Sequence, residues 1–72
     1  MTQVVALGEK QRVAPFAMVG VAVIAADDAS TVSTAWAALG SDVGLVILTA
    51  RAARALKPAL RTAGGPLWTV MP

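Results

Sequence analysis

The most constraining stretch of the sequence is a continuous apolar run rich in β-branched residues, Val43–Thr49. A turn signal at Gly40–Asp42 precedes the run, and Thr49 at its end is suited to cap a following helix. A strand that stays apolar throughout, without polar alternation, is typical of a strand covered on both faces in a parallel sheet. The run is too short to span a bilayer, which needs about 20 apolar residues. We therefore predict that it forms the central strand of a small α/β domain.

The composition limits the possible functions. The 72 residues predict a single domain over residues 1–72, which is a size with marginal stability on its own. The sequence contains no cysteine, which excludes disulfides and thiolate sites, and no histidine, the commonest general base and metal ligand. A net charge of +2 is too small to indicate nucleic-acid binding. Charged residues are 14% and apolar residues 57%, which fits either a compact core under an alanine-rich surface or a surface covered by another chain.

Helices and strands alternate along the predicted chain. The predicted elements are a strand Gln3–Leu7, a helix Glu9–Val19, a strand Val21–Ala26, a helix from Asp27 or Asp28 to about Leu39, the strand Val43–Leu48, a helix from Thr49 to Gly64, and a strand Leu67–Met71.

The first predicted helix contains a proline. Its sheet-facing side is expected to comprise Val13, Phe16, Ala17 and Gly20. Pro15 lies inside this pattern, so the helix should begin late or be kinked. Gly20 suits the left-handed position that ends a helix.

The second and third predicted helices each have one apolar side. The expected buried residues are Val32, Ala35, Trp36 and Leu39 in the second helix and Ala53, Leu56, Leu60 and Ala63 in the third. Pro58 should kink or split the third helix near Lys57. The opposite side of the third helix carries a basic stripe of Arg51, Arg54, Lys57 and Arg61. No aromatic residue interleaves the stripe, so it is interpreted as a solvated face, with an acidic partner helix as the alternative.

The order β-α-β-α-β-α-β predicts an α/β fold with a small doubly wound, four-stranded parallel sheet in the order 2-1-3-4, the topology of flavodoxin-like and receiver domains. Right-handed crossovers then place the first helix alone on one face and the other two helices on the opposite face. Because the sequence stops at Pro72, we expect no further helix beside the first one. Part of the third and fourth strands should then be bare and available to a partner.

We predict that another chain covers this bare face. The predicted partner-binding residues are Phe16, Val19, Leu67, Trp68, Val70 and Met71. Trp36 is interpreted as a core residue, whereas Trp68 fits either the core or an interface.

The carboxyl ends of the strands, where doubly wound folds bind ligands, show no catalytic pattern. They carry Gly8, Glu9, Asp27, Asp28, Thr49, Arg51 and Met71. A receiver domain needs an aspartate nucleophile at the end of the third strand, where Leu48 and Thr49 stand, and clustered carboxylates for Mg²⁺. Phosphate-loop and dinucleotide-binding glycine patterns are absent from the sequence. The sequence therefore predicts no enzyme, with no catalytic residues, no cofactor and no metal site.

Several segments resemble the F-subunit family of the V/A-type (vacuolar/archaeal-type) rotary ATPases, in the order in which that family has them. They are Val5–Glu9, Val13, Phe16–Val21, Asp42–Thr49, Gly65–Leu67 and Val70–Pro72. The shared features are a strand followed by glycine and an acid, a helix that ends in phenylalanine and a glycine, a third strand that runs from aspartate to threonine, and a last strand that ends in proline.

The resemblance implies a non-catalytic central-stalk protein that docks on the long coiled-coil subunit of the rotor. Such a protein takes part in ion transport and ATP synthesis, and it is cytoplasmic and reaches the membrane only through the ATPase complex. The sequence departs from the family at Lys10–Arg12, where acids are usual, at Pro15, where glycine is usual, and at Pro72, after which members continue into a C-terminal helix. The competing interpretations are a free-standing ligand-binding module and a homo-oligomer.

Overall fold

The structure is a computed structural model that describes residues 3–61 and 65–71. In chain order, its elements are β1 (Gln3–Gly8), α1 (Lys10–Val13), a 3-10 helix (Ala14–Val19), β2 (Ala22–Ala25), α2 (Ala29–Ala37), β3 (Val43–Leu48), α3 (Ala50–Ala55), α4 (Lys57–Leu60) and β4 (Leu67–Val70). Each strand boundary lies within one residue of its predicted position. In the described part of the chain, no helix is both long and apolar enough to cross a membrane.

The four strands form one parallel sheet in the order β2-β1-β3-β4, which confirms the predicted topology. The two interior strands are β1 and β3. Val5 pairs with Ala22 on one side and with Val46 on the other, and Val46 pairs in turn with Trp68. Because residues paired across parallel strands share a face, this register decides which side chains lie together.

One face of the sheet holds the main core. Its buried members are Val5, Leu7, Ala26, Val32, Val43, Val46, Leu48, Ala52 and Leu56. They come from the sheet together with α2 and α3, which are in contact with each other. On the opposite face, Leu45 and Ile47 of β3 are only half-buried. The prediction that β3 is an interior strand is confirmed, but its burial is complete on one face only.

The first predicted helix consists of two pieces. The α-helical piece α1 packs on β1 and β2 and buries Val13, and the 3-10 helix continues the chain with Pro15 in its first turn. Phe16 is half-buried, whereas Ala17 and Gly20 are exposed, so the side of this helix that was expected to face the sheet is only partly covered. A 3-10 helix has 3.0 residues per turn instead of 3.6, which rotates later residues away from their expected positions. Gly20 ends this helix in the predicted left-handed conformation, with φ of 85°.

The second helix begins and packs as predicted, although it ends about two residues early, at Ala37. The Asp28 carboxylate caps it by accepting a hydrogen bond from the Thr31 backbone N–H at 2.7 Å. Val32 is buried, while Ala35, Trp36 and Leu39 are packed at the edge of the core.

The third predicted helix is divided where Pro58 requires it, because α3 ends at Ala55 and α4 begins at Lys57. Leu56 is buried, and Ala53 and Leu60 are half-buried, as predicted. Ala52 is also buried, which the sequence pattern did not indicate, and Ala63 lies outside the described residues.

Candidate functional site: an apolar strip, an open groove and a closed carboxyl edge

The six predicted partner-binding residues do not lie on one surface. Leu67 pairs with Leu45, whereas Trp68 pairs with Val46 and Val70 with Leu48. Val46 and Leu48 face the main core, so Trp68 and Val70 lie on the side of α3 and α4. Leu67 lies on the opposite face of the sheet, the one that carries α1. The prediction of one continuous contact surface through all six residues is therefore wrong, because consecutive residues of a strand point to opposite faces.

An apolar strip connects two of the predicted residues across the face that carries α1. Val19, 74% exposed, lines the same surface depression as Val4 of β1. Val4 pairs with Leu45 of β3, which pairs with the 75% exposed Leu67 of β4. Ile47 lies on this face two residues beyond Leu45. We call these five residues, Val4, Val19, Leu45, Ile47 and Leu67, the apolar strip.

The strip extends over three strands, and since neighbouring strands are about 4.8 Å apart, β1 and β4 are separated by about 10 Å. Sequence reasoning identified its two ends and expected part of the third and fourth strands to be bare on this face, but it did not name Val4, Leu45 or Ile47 among the contact residues. Met18, 90% exposed on the 3-10 helix, was also missed. Phe16 and Met71 are half-buried.

A separate groove lies between β4 and the helices α3 and α4. It is lined by Ala53, Arg54, Lys57, Leu60, Trp68 and Val70 and has a volume of about 220 Å³. Trp68 is 44% exposed and Val70 is 38% exposed. Trp68 is thus only partly buried, and its side chain lines an open groove. We call this feature the β4 groove.

The basic stripe borders the β4 groove. All four of its cations, Arg51, Arg54, Lys57 and Arg61, are exposed. Arg54 and Lys57 are among the residues that line the groove. The predicted solvated face is therefore next to an apolar opening, an arrangement that the sequence pattern alone did not reveal.

The carboxyl ends of β1 and β3 are closed against each other. Thr49, fully buried directly after β3, accepts a hydrogen bond from the Ala52 N–H at 3.2 Å and caps α3 as predicted. Its hydroxyl also donates a hydrogen bond to the Glu9 carboxylate. Gly8 makes this approach possible, because a Cβ at that position would lie 2.8 Å from the Thr49 Cβ. The Thr49 side chain occupies the space between the ends of β1 and β3, the point at which doubly wound folds bind ligands, and the depression beside it is lined by charged side chains.

The Thr49 hydroxyl also fixes the ionisation of Glu9. Its hydrogen bond holds the pKa of the Glu9 carboxyl below the usual range, and the nearby Arg51 and Arg12 guanidinium groups act in the same direction. Glu9 is therefore a carboxylate at neutral pH, so it accepts a hydrogen bond and has no proton to donate. The Thr49–Glu9 hydrogen bond joins the loop after β1 to the loop after β3, and the ionised Glu9 cannot act as a general acid.

A shallow depression with mixed charges surrounds Glu9. Its lining is Glu9, Lys10, Gln11, Arg12, Asp27 and Arg51. Asp27 accepts a hydrogen bond from the Lys10 backbone N–H at 3.3 Å, so it caps α1 from the end of β2, and Asp28 alone caps α2. Within residues 3–61 and 65–71, no three acidic side chains are grouped so that they could hold a metal ion. At the position of a receiver nucleophile the chain presents Thr49, which is buried and engaged in hydrogen bonds.

The chain was compared with family models, curated proteins and solved structures. No family model matches the chain, and no curated protein or solved structure matches it either.

Proposed function

We propose that the chain is a non-catalytic central-stalk component of a V/A-type rotary ATPase, similar to the F-subunit family, which docks on the coiled-coil rotor protein. The observation that carries the proposal is the apolar strip on the face beside α1. The faces of parallel sheets are normally covered, and exposed apolar surface costs about 25 cal/mol per Å². A helix of a coiled coil laid across the strip would remove its valine and leucine side chains from water.

Two further features support the proposal. The predicted strands, which include segments that resemble the F-subunit family, form a sheet in the predicted order 2-1-3-4. The carboxyl edge, where an enzyme of this topology would hold its substrate, is occupied by the Thr49 side chain. In this role the chain serves proton- or sodium-coupled ATP synthesis or hydrolysis by transmitting rotation, and it meets the membrane only through the complex. Genes for other rotary ATPase components are then expected beside its own.

The direct test is coexpression with the coiled-coil rotor protein encoded in the same genome, followed by size-exclusion chromatography with light scattering. We expect a 1:1 complex. The double variant Val19→Glu/Leu67→Glu should abolish the complex because it places two carboxylates in the strip, and both positions are exposed enough for the fold to tolerate the change.

The matched control is Val70→Glu, the same kind of substitution on the same strand but on the opposite face. It should retain the complex, and circular dichroism should show that all variants are folded. Failure of the wild-type chains to associate, or unchanged association of the double variant, would contradict the proposal. A stable homodimer of the chain alone, lost in the same double variant, would instead favour the homo-oligomer.

A nucleotide titration separates this role from the ligand-binding alternative. Because Thr49 occupies the space between β1 and β3, and the described residues hold no carboxylate cluster for Mg²⁺, calorimetry with ATP or ADP and Mg²⁺ should reveal no site tighter than about millimolar, near −4 kcal/mol. Saturable micromolar binding would make the ligand-binding module the better interpretation.

A further inference from the structure

We propose that the free edge of β4, together with the β4 groove, binds an acidic, extended segment of another protein by strand addition. This surface is separate from the apolar strip, and the proposal does not depend on the rotary ATPase assignment. It follows from three properties of the region: the edge itself, the shape of the groove and the distribution of charge.

The edge of β4 is open. Within residues 3–61 and 65–71, where the sheet order is β2-β1-β3-β4, the strand has a partner on one side only, and all four of its residues are exposed. Natural sheets protect such edges with short strands, charged residues, prolines or bulges. The strand is short, with four residues after Pro66, but Leu67–Val70 itself carries no charge and no proline, and its pairing with β3 is regular. Its outer backbone groups are therefore available to an incoming strand.

The β4 groove provides a place for one side chain of that incoming strand. A strand added beyond β4 lies about 4.8 Å further out, and alternate side chains point to the groove side of the sheet. The apolar residues that line the groove there are Trp68 and Val70 of β4 together with Ala53 and Leu60 of the two helices. A volume of about 220 Å³ accommodates one large aliphatic side chain, so backbone pairing gives the affinity and this residue gives the selectivity.

The charge distribution specifies an acidic partner. Arg54 and Lys57 flank the groove, and the sequence from Val43 onward carries four cations and no acidic residue. An acidic segment is attracted to this region and held near it. A second copy of the chain that pairs through its own β4 would bring the same cations with it, and like charges oppose that arrangement.

The test uses a defined peptide in a nuclear magnetic resonance titration of the ¹⁵N-labelled chain. The probe is a short blocked peptide that alternates valine and threonine around a central leucine, with glutamates at both ends. We expect saturable shifts confined to residues 53–60 and 67–71. A peptide with lysines in place of the glutamates should not bind, and a peptide N-methylated at alternate positions should lose binding, since it can no longer donate to the edge.

Substitutions then test the charge argument. Arg54→Glu/Lys57→Glu should weaken binding of the acidic peptide by about tenfold or more. The matched control, Lys10→Glu/Arg12→Glu, makes the same change in net charge at the carboxyl edge and should weaken binding clearly less, because neither residue lines the β4 groove and charges away from the contact are partly screened by salt.

Several results would overturn the proposal. They are the absence of saturable shifts at millimolar peptide, equal binding of the lysine peptide, binding unaffected by N-methylation, and shifts confined to the apolar strip. Concentration-dependent shifts of β4 without peptide would show that a second copy occupies the edge. None of these measurements involves the rotor protein. The peptide can therefore fail to bind while the rotor complex still forms, and the peptide can bind while the rotor complex does not form.

Discussion

On one face of β3, Val46 and Leu48 are fully buried against the residues of α2 and α3, whereas on the other face Leu45 and Ile47 keep part of their surface in water. Both pairs come from the same uninterrupted apolar run. The difference lies in what covers them: two crossover helices on one side, and on the other a short helix that packs mainly on β1 and β2. Along β3, an apolar side chain is therefore a core residue on one face and partly exposed to water on the other.

The largest expected effect tests this contrast directly with one substitution at two positions. Leu48→Ala removes a fully buried side chain from the main core and should cost about 2–5 kcal/mol, enough to unfold much of a domain of this size. Leu45→Ala makes the same change on the half-buried face and should cost clearly less, because water already reaches the site. Urea denaturation followed by circular dichroism measures both, and equal losses would mean that the two faces are equivalent in solution.

The same contrast predicts which of two aspartate substitutions on β3 costs more stability. Val46→Asp should unfold the domain, since it buries an unpaired carboxylate at a fully buried position. Ile47→Asp inserts the same charge on the opposite face, but Ile47 is half-buried, so its carboxylate has a path to water and the loss should be smaller. Urea denaturation of the two variants measures the difference, and complete unfolding of both would remove the distinction between the faces.

The closed carboxyl edge provides the next largest effect. Gly8→Ala places a Cβ against the Thr49 side chain, which is buried and held by two hydrogen bonds, so it has little room to move. Overpacking of this kind costs about 1–3 kcal/mol. The control is Gly8→Ala combined with Thr49→Ser, which removes the methyl group that meets the new Cβ and should recover part of the stability in the same denaturation assay. No recovery would show that the Thr49 methyl group does not set the cost, because the Thr49 hydroxyl oxygen and Cβ also meet the new Cβ and remain in the serine variant.

The topology and the helix ends were predictable because they depend on local signals. Apolar runs of strand length separated by helical spacing fix the order of elements, and handed crossovers then leave few arrangements. Pro58 split its helix and Asp28 capped α2 for reasons that lie within a few residues of each position. Local chemistry was sufficient in each of these cases.

The candidate surfaces were less predictable because they depend on register and on contacts between distant residues. Thr49 and Glu9 are 40 residues apart, and the Asp27 cap of α1 bridges 17 residues, so no local pattern announces either bond. The run at β4 is apolar at three of its four positions, which hides the alternation that separates Leu67 from Trp68 and Val70. The face on which each β4 residue lies follows from its register with β3, and the sequence does not show that register.

A smaller effect concerns pH at the closed edge. The pKa of Glu9 is lower in the folded chain than its usual value of 4.5, so the group contributes stability above that pH and the contribution is lost as pH falls through the folded pKa. Thr49→Val removes the hydroxyl that causes most of this shift and should cost about 1 kcal/mol at neutral pH. Its stability should then fall less steeply than that of the wild type below pH 4.5, as measured by urea denaturation across a pH series.

Two comparisons isolate the hydroxyl in that experiment. Thr49→Ser retains it and should keep the wild-type dependence on pH. The Asp28 carboxyl, whose pKa is lowered by the hydrogen bond from the Thr31 backbone, remains in every variant, so some acid sensitivity must persist. Identical pH profiles for the valine variant and the wild type would exclude the Thr49 bond as a source of stability.

The smallest expected change in stability is for a substitution on the face that carries α1, at Leu67, in contrast to the large loss expected at Leu48. Leu67→Ser removes an apolar side chain that is 75% exposed, so the free energy of unfolding of the isolated chain should change by less than about 0.5 kcal/mol. If the apolar strip is a contact surface, the same substitution should weaken the complex with the rotor protein, because that contact is where the side chain leaves water. Calorimetric unfolding of the free chain and light scattering of the mixture measure the two effects separately. A large loss of stability in the free chain would show that Leu67 already packs within the domain, and the strip would then be part of the fold and not a surface for a partner.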